Sequence, residues 1–228
     1  MKRLKAAIAV AAVMCIAGPA SAGHQFRNIG LFTTYSATPT TVSWSTCGIL
    51  DGQHGCYGSG SLSPPFENVC AVMEGARTQN GKVVSRQIYV LDKGTTPSAT
   101  MVLYVFKRTD RISIGAIDLI NVTPAGSILT QLGGGPHAHC QMAADGYVVY
   151  VGTDVAPYNA EVAAISKFTG TLTLLPLSSP LVSITAEDRG YVALHSTGGS
   201  EVVQEGEVLQ TIDGPADMAD QHNAWKSK

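Results

Sequence analysis

Short apolar stretches separated by Gly, Asp, Ser and Thr run through most of the chain. The pattern is clearest over Pro136–Gly214, which reads as two successive copies of one unit. The first copy runs HAHCQMAAD, GYVVYVGTD, EVAAISKFTG, TLTLLPLS; the second runs LVSITAED, RGYVALHSTGG, SEVVQEG, EVLQTIDG. Gly146 before Tyr147 and Gly190 before Tyr191 stand 44 residues apart. Four strand-like segments in roughly 40–45 residues is the period of a β-propeller blade.

Upstream, Phe66–Gly75 and Lys82–Asp92 predict strands, the second with Val84, Arg86, Ile88 and Val90 on one face. Thr100–Phe106 is apolar on both faces, as in a strand packed between neighbours. Ser113–Val122 and Ser127–Leu132 read as two further strands divided by Pro124-Ala125-Gly126, so that 66–132 forms an enlarged blade. Thr46–Pro65 reads as a loop by its Gly and Ser content, after candidate strands at Ile29–Tyr35 and Thr41–Trp44. No segment has sustained helical periodicity. The best helical candidate is Asp213–Trp225, with Pro215 near its start.

The fold class is therefore all-β, a propeller-like array of four-stranded antiparallel blades, with a β-sandwich or barrel as the alternative. Closed propellers need at least four blades. Either the 23–65 segment supplies strands to the ring, or half a ring pairs with a second copy as a homodimer. The organisation is a signal peptide at 1–22, N-terminal strands and a pinned loop at 23–65, the β domain at 66–214 and a tail or short helix at 215–228.

Composition adds a compartment. Lys2, Arg3 and Lys5 precede an apolar run at Ala6–Ala17, and Ala20-Ser21-Ala22 supplies a small-x-small cleavage pattern. The run, about 12 residues, is too short to span a bilayer as a helix. Export to the periplasm or outside follows, with no membrane span after cleavage. Cleavage leaves Cys47, Cys56, Cys70 and Cys140, an even number suited to disulfides. Cys47 with Cys56 across DGQHG, leaving Cys70 with Cys140, is the favoured of three pairings. A net charge of −2 with scattered basic residues speaks against nucleic acid as a partner.

Candidate chemistry is sparse. His137-Ala138-His139-Cys140-Gln141-Met142 alternates strictly, so on a strand His137, His139 and Gln141 share one face. Two imidazoles two residues apart suit one zinc or copper ion, or ligand contacts without metal, and channel-facing strands would present them. His54, His195 and His222 qualify as further ligands only by being histidines. No nucleophile elbow is present, and the turn carboxylates such as Asp145 read as solvated or as acceptors of backbone N–H groups.

Asp145-Gly146-Tyr147, Arg189-Gly190-Tyr191 and the alternating apolar positions around them resemble blades of secreted β-propeller proteins, including the lactonase-like kind, at the level of fold. Lactonase-like enzymes hold a channel metal through carboxylates and amides from several blades, which the resemblance does not place here. A binding module for a protein or glycan partner, without catalysis, is the expectation. A metal-assisted hydrolase at His137 and His139, and an envelope structural or assembly protein, are the alternatives. No cofactor is named by the sequence.

Overall fold

A computed structural model of the chain describes residues 30–50, 53–62, 64–79, 82–113, 116–186 and 190–213. The expected signal peptide at 1–22, His222 and, beyond Asp213, the expected C-terminal helix lie outside the described residues. The described chain is all-β apart from one 3-10 turn at Tyr158–Ala160. Its first sheet holds β1 (Gly30–Thr38), β2 (Thr41–Leu50) and β3 (Gln53–Leu62). The second holds β4 (Val69–Gln79), β5 (Lys82–Asp92), β6 (Thr100–Ser113) and β7 (Ala116–Gly133). The third holds β8 (Cys140–Ala144), β9 (Val148–Thr153), β10 (Glu161–Ser166) and β11 (Leu172–Pro176). The fourth holds β12 (Leu181–Ala186), β13 (Val192–Ser196), β14 (Gly199–Gln204) and β15 (Glu207–Asp213). Each sheet is an antiparallel meander in chain order, and the four follow one another as propeller-like blades.

Alternation explains the stacking. In β5, Ile88 and Val90 pack toward the first sheet with Val42, Trp44 and Phe66, while Tyr89 and Leu91 pack toward the third. In β9, Val149 and Val151 join that second-to-third core, and Val148 and Tyr150 face Val192, Leu194 and Val203 of the fourth sheet. Central strands are thus buried on both faces, which is why their sequences are continuously apolar. The leading strands β4, β8 and β12 lie side by side, as propeller inner strands do. Tyr147 and Tyr191 both sit just before the second strand of their sheets.

Two elements differ from the expectation. Thr46–Pro65 is mostly a β-hairpin, β2 with β3, rather than a loop. Its glycines fit strand geometry because the Trp44 ring lies over Gly60, where a Cβ would come within 3.0 Å of the indole nitrogen. Also, β7 runs unbroken through Pro124 and Gly126. It is an edge strand, so Pro124 forfeits no ladder bond on its outer side, and a register shift opposite Val105 and Phe106 absorbs the extra residue.

Both expected disulfides form. Cys47–Cys56 bridges β2 and β3, and Cys70–Cys140 ties β4 to β8, joining the second and third sheets. The first and second sheets are joined by a polar cluster. Arg108, its side chain 3% exposed, donates to Glu74 at 2.8 Å and to Thr33 Oγ1, and the Tyr35 hydroxyl donates to Glu74 at 2.7 Å. Burial, reinforced by the Glu74 carboxylate that accepts its hydrogen bond, pushes the Tyr35 phenol up. Among the described residues no helix is long and apolar enough to cross a membrane.

Candidate functional site

The two ends of the inner strands define two mouths. At the end where these strands begin, the structure places the histidine pair, but not as strand alternation predicts. β8 starts only at Cys140, so His137 and His139 lie in the preceding link and Gln141 alone of the trio is on the strand. The link is held by other bonds. Gly134 N–H donates to Ala99 O, Gly135 N–H to Lys93 O, and Lys93 Nζ to Pro136 O and Ala138 O. Gly134 has no room for a side chain, since a Cβ would stand 2.2 Å from Lys93 O. The glycine run therefore forms a turn and delays the strand.

Both histidines are exposed. His139 Nδ1 lies 2.6 Å from Asp154 Oδ2, and its backbone N–H donates to Asp154 Oδ1 at 2.8 Å. Burial alone would raise the Asp154 carboxyl; the hydrogen bonds and charge of His139 outweigh it and bring the carboxyl below its ordinary range. Gln141 Nε2 donates to Val182 O at 2.6 Å, linking β8 to β12. His54 is exposed on β3, and buried His195 hydrogen-bonds with Thr185 and Ser200. Among the described residues no group of three or more His, Cys, Asp and Glu side chains could hold a metal ion.

The opposite mouth is more constructed. Where β4, β8 and β12 end, a cavity of ≈ 480 Å³ is lined by residues of the second, third and fourth sheets, among them Glu74, Asp145, Tyr147, Lys167 and Gln204. Asp145 orders its floor. One carboxylate oxygen accepts the backbone N–H of Tyr147 (2.6 Å) and Val148 (2.7 Å). The other accepts the Tyr150 hydroxyl and the backbone N–H of Glu205 from the fourth sheet. The Asp-Gly-Tyr turn is thus fixed by its own acid, and that acid also clamps two sheets. The Tyr150 hydroxyl in turn accepts Gly206 N–H, and burial, then the Asp145 charge, pushes that phenol up.

Lys167 follows the buried strand β10 and is itself buried. Its Nζ donates to Ala76 O of the second sheet (2.9 Å) and Asp145 O of the third (2.5 Å), 5.7 Å from the Tyr89 ring centre. Burial pulls its pKa down to about 8, although the Asp145 charge opposes this. A second cavity, ≈ 330 Å³, meets Lys167 from between the second and third sheets. Gly75 is required beside it: a Cβ there would sit 2.9 Å from the Tyr89 ring and 3.2 Å from Lys167 Nζ. Tyr147 lines the larger cavity and Phe168 the smaller, and their rings stack, 5.8 Å apart and 27° from parallel. The mouth thus sets the Tyr147 ring and the Gln204 amide around a concave floor, beside Glu74, whose carboxylate Arg108 and Tyr35 hold.

Glu74, Lys167 and Gln204 were not singled out by the sequence. The available signal was Lys167 itself, a cation directly after a continuously apolar strand in a chain with only 14% charged residues. Fold and site together define an all-β protein of propeller-like blades with a polar, aromatic-rimmed mouth. No protein-family model matches the chain, and no curated protein matches it in sequence.

Proposed function

We propose that this protein is an exported binding module whose mouth cavity takes a glycan. The observation carrying the reading is the ≈ 480 Å³ cavity lined by Tyr147, whose ring stacks on Phe168, and by Glu74 and Gln204. Sugar rings present apolar C–H faces that lie on aromatic rings, and hydroxyls that a carboxylate and an amide read from the side. The two disulfides agree with an oxidising compartment. Glycan-array screening of the disulfide-intact protein, followed by calorimetry, tests it. Tyr147→Ala and Gln204→Ala should each weaken binding by about tenfold or more. Absence of glycan binding, or binding indifferent to both substitutions, would sink the proposal.

The runner-up is a metal-assisted hydrolase at His137 and His139, favoured only by the exposed His139–Asp154 pair. Stoichiometric zinc or copper carried through purification, lost in His137→Ala/His139→Ala, would promote it.

A further inference from the structure

The smaller cavity, ≈ 330 Å³, is near the lower end of small-molecule pockets in size. Leu103 and Val105 of β6, Ile128 of β7, Val149 of β9 and Ile165 of β10 give it an aliphatic wall. Lys167, the first residue beyond β10 and itself buried, lines it too. An ammonium carries three hydrogens. Lys167 Nζ spends two of them on the backbone carbonyls of Ala76 and Asp145. Among the described residues no carboxylate lies within ion-pair distance of Nζ. The carboxylates on the elements packed around it are engaged elsewhere. Asp145 accepts four hydrogen bonds, and Glu74 accepts those of Arg108 and Tyr35. The Tyr89 ring, its centre 5.7 Å from Nζ, is a weak substitute for an anion. Other polar side chains at the cavity are matched already. The Tyr89 hydroxyl donates to Gln87 Oε1, Ser166 Oγ accepts the N–H of Phe168 and Thr169, and Thr169 Oγ1 donates to Thr171 Oγ1. The unspent donor is thus a buried cation beside an apolar wall. A buried charge is costly without a paired partner, and that cost is what holds the Lys167 pKa down to about 8.

We infer that this cavity binds a small hydrophobic monocarboxylate, its alkyl chain against the aliphatic wall and its carboxylate accepting the third Lys167 hydrogen. Such a ligand supplies both things the site lacks, a counter-ion for the ammonium and apolar contacts for the wall. The larger cavity, which Lys167 also lines, suits an acid less well, because Glu74 and Asp145 line it and repel a third carboxylate. An alcohol of the same length would keep the apolar contacts and forgo the ion pair.

Calorimetric titration of the disulfide-intact protein at pH 7 with octanoate and with 1-octanol is the test. Octanoate should bind at least about tenfold more tightly than octanol, the worth of one hydrogen bond to a charged group. Lys167→Met should bring the two affinities within about threefold of each other. Amide spectra of the wild type locate the ligand without any variant. Octanoate should shift Gly126–Ile128 and Phe168–Gly170, leaving Gly146, Gly190 and Gln204 of the larger cavity unmoved. Absence of octanoate binding, equal affinity for the alcohol, a preference that survives Lys167→Met, or shifts centred on the larger cavity would each overturn the inference. Glycan binding at the larger cavity stands or falls separately from all four.

Discussion

Lys167 allows a pH prediction with a definite sign. Its folded pKa of about 8 lies below the ordinary 10.5. The unfolded chain therefore keeps its proton up to about pH 10.5, while the folded chain releases it near pH 8. Between these values the unfolded state binds more protons, so stability rises with pH. The gap corresponds to about 3 kcal/mol, at 1.36 kcal/mol per pH unit. The geometry permits the neutral form, because an uncharged amine still has two hydrogens for Ala76 O and Asp145 O. Urea unfolding of wild type and Lys167→Met, disulfides intact, at steps from pH 7 to 10.5 isolates the effect, since other titrating groups cancel in the difference. Wild type should gain on the variant by about 2–3 kcal/mol across that range. A difference that stays flat, or that grows in favour of Lys167→Met, would refute the reasoning.

Asp145→Ala removes a buried carboxylate that accepts four hydrogen bonds and leaves their donors unpaired, so it should cost about 3–5 kcal/mol in urea unfolding. A loss below about 1 kcal/mol would mean that water replaces it readily. The disulfides should differ in worth: chain-entropy arithmetic gives about 4 kcal/mol for Cys70–Cys140, which closes 70 residues, and about 2.6 kcal/mol for Cys47–Cys56, which closes 9. Paired Cys→Ala variants should preserve that order. Gly60→Val should displace the Trp44 ring, costing about 1–3 kcal/mol and shifting tryptophan emission to the red; unchanged emission would count against the packing described.

The fold was legible in short apolar runs bounded by turn residues. Val148–Thr153 and Val192–Ser196 announce strands buried on both faces, and the cysteine spacing pointed to the pairing that forms. The β2–β3 hairpin was not legible, because its glycines look like turn residues until Trp44 is seen lying over Gly60. The histidine alternation misled for a local reason: backbone bonds to Ala99 and Lys93 hold the glycine run as a turn, so the strand starts after His139. The cavity mouth was illegible as a site because distant strands assemble it. Lys167 reaches Ala76 across 91 residues, and Asp145 reaches Glu205 across 60. Asp145 and Tyr147 were visible as turn residues; nothing local tied them to Glu74 or Gln204.

The most direct test of the account is an amide chemical-shift titration of the folded protein with the strongest-binding glycan. Shifts should concentrate at Gly75, Ala76, Gly146, Tyr147, Gly190 and Gln204 around the cavity, leaving 134–139 and Asp154 unmoved. Shifts centred on His137, His139 and Asp154 instead would place binding at the opposite mouth and contradict the account.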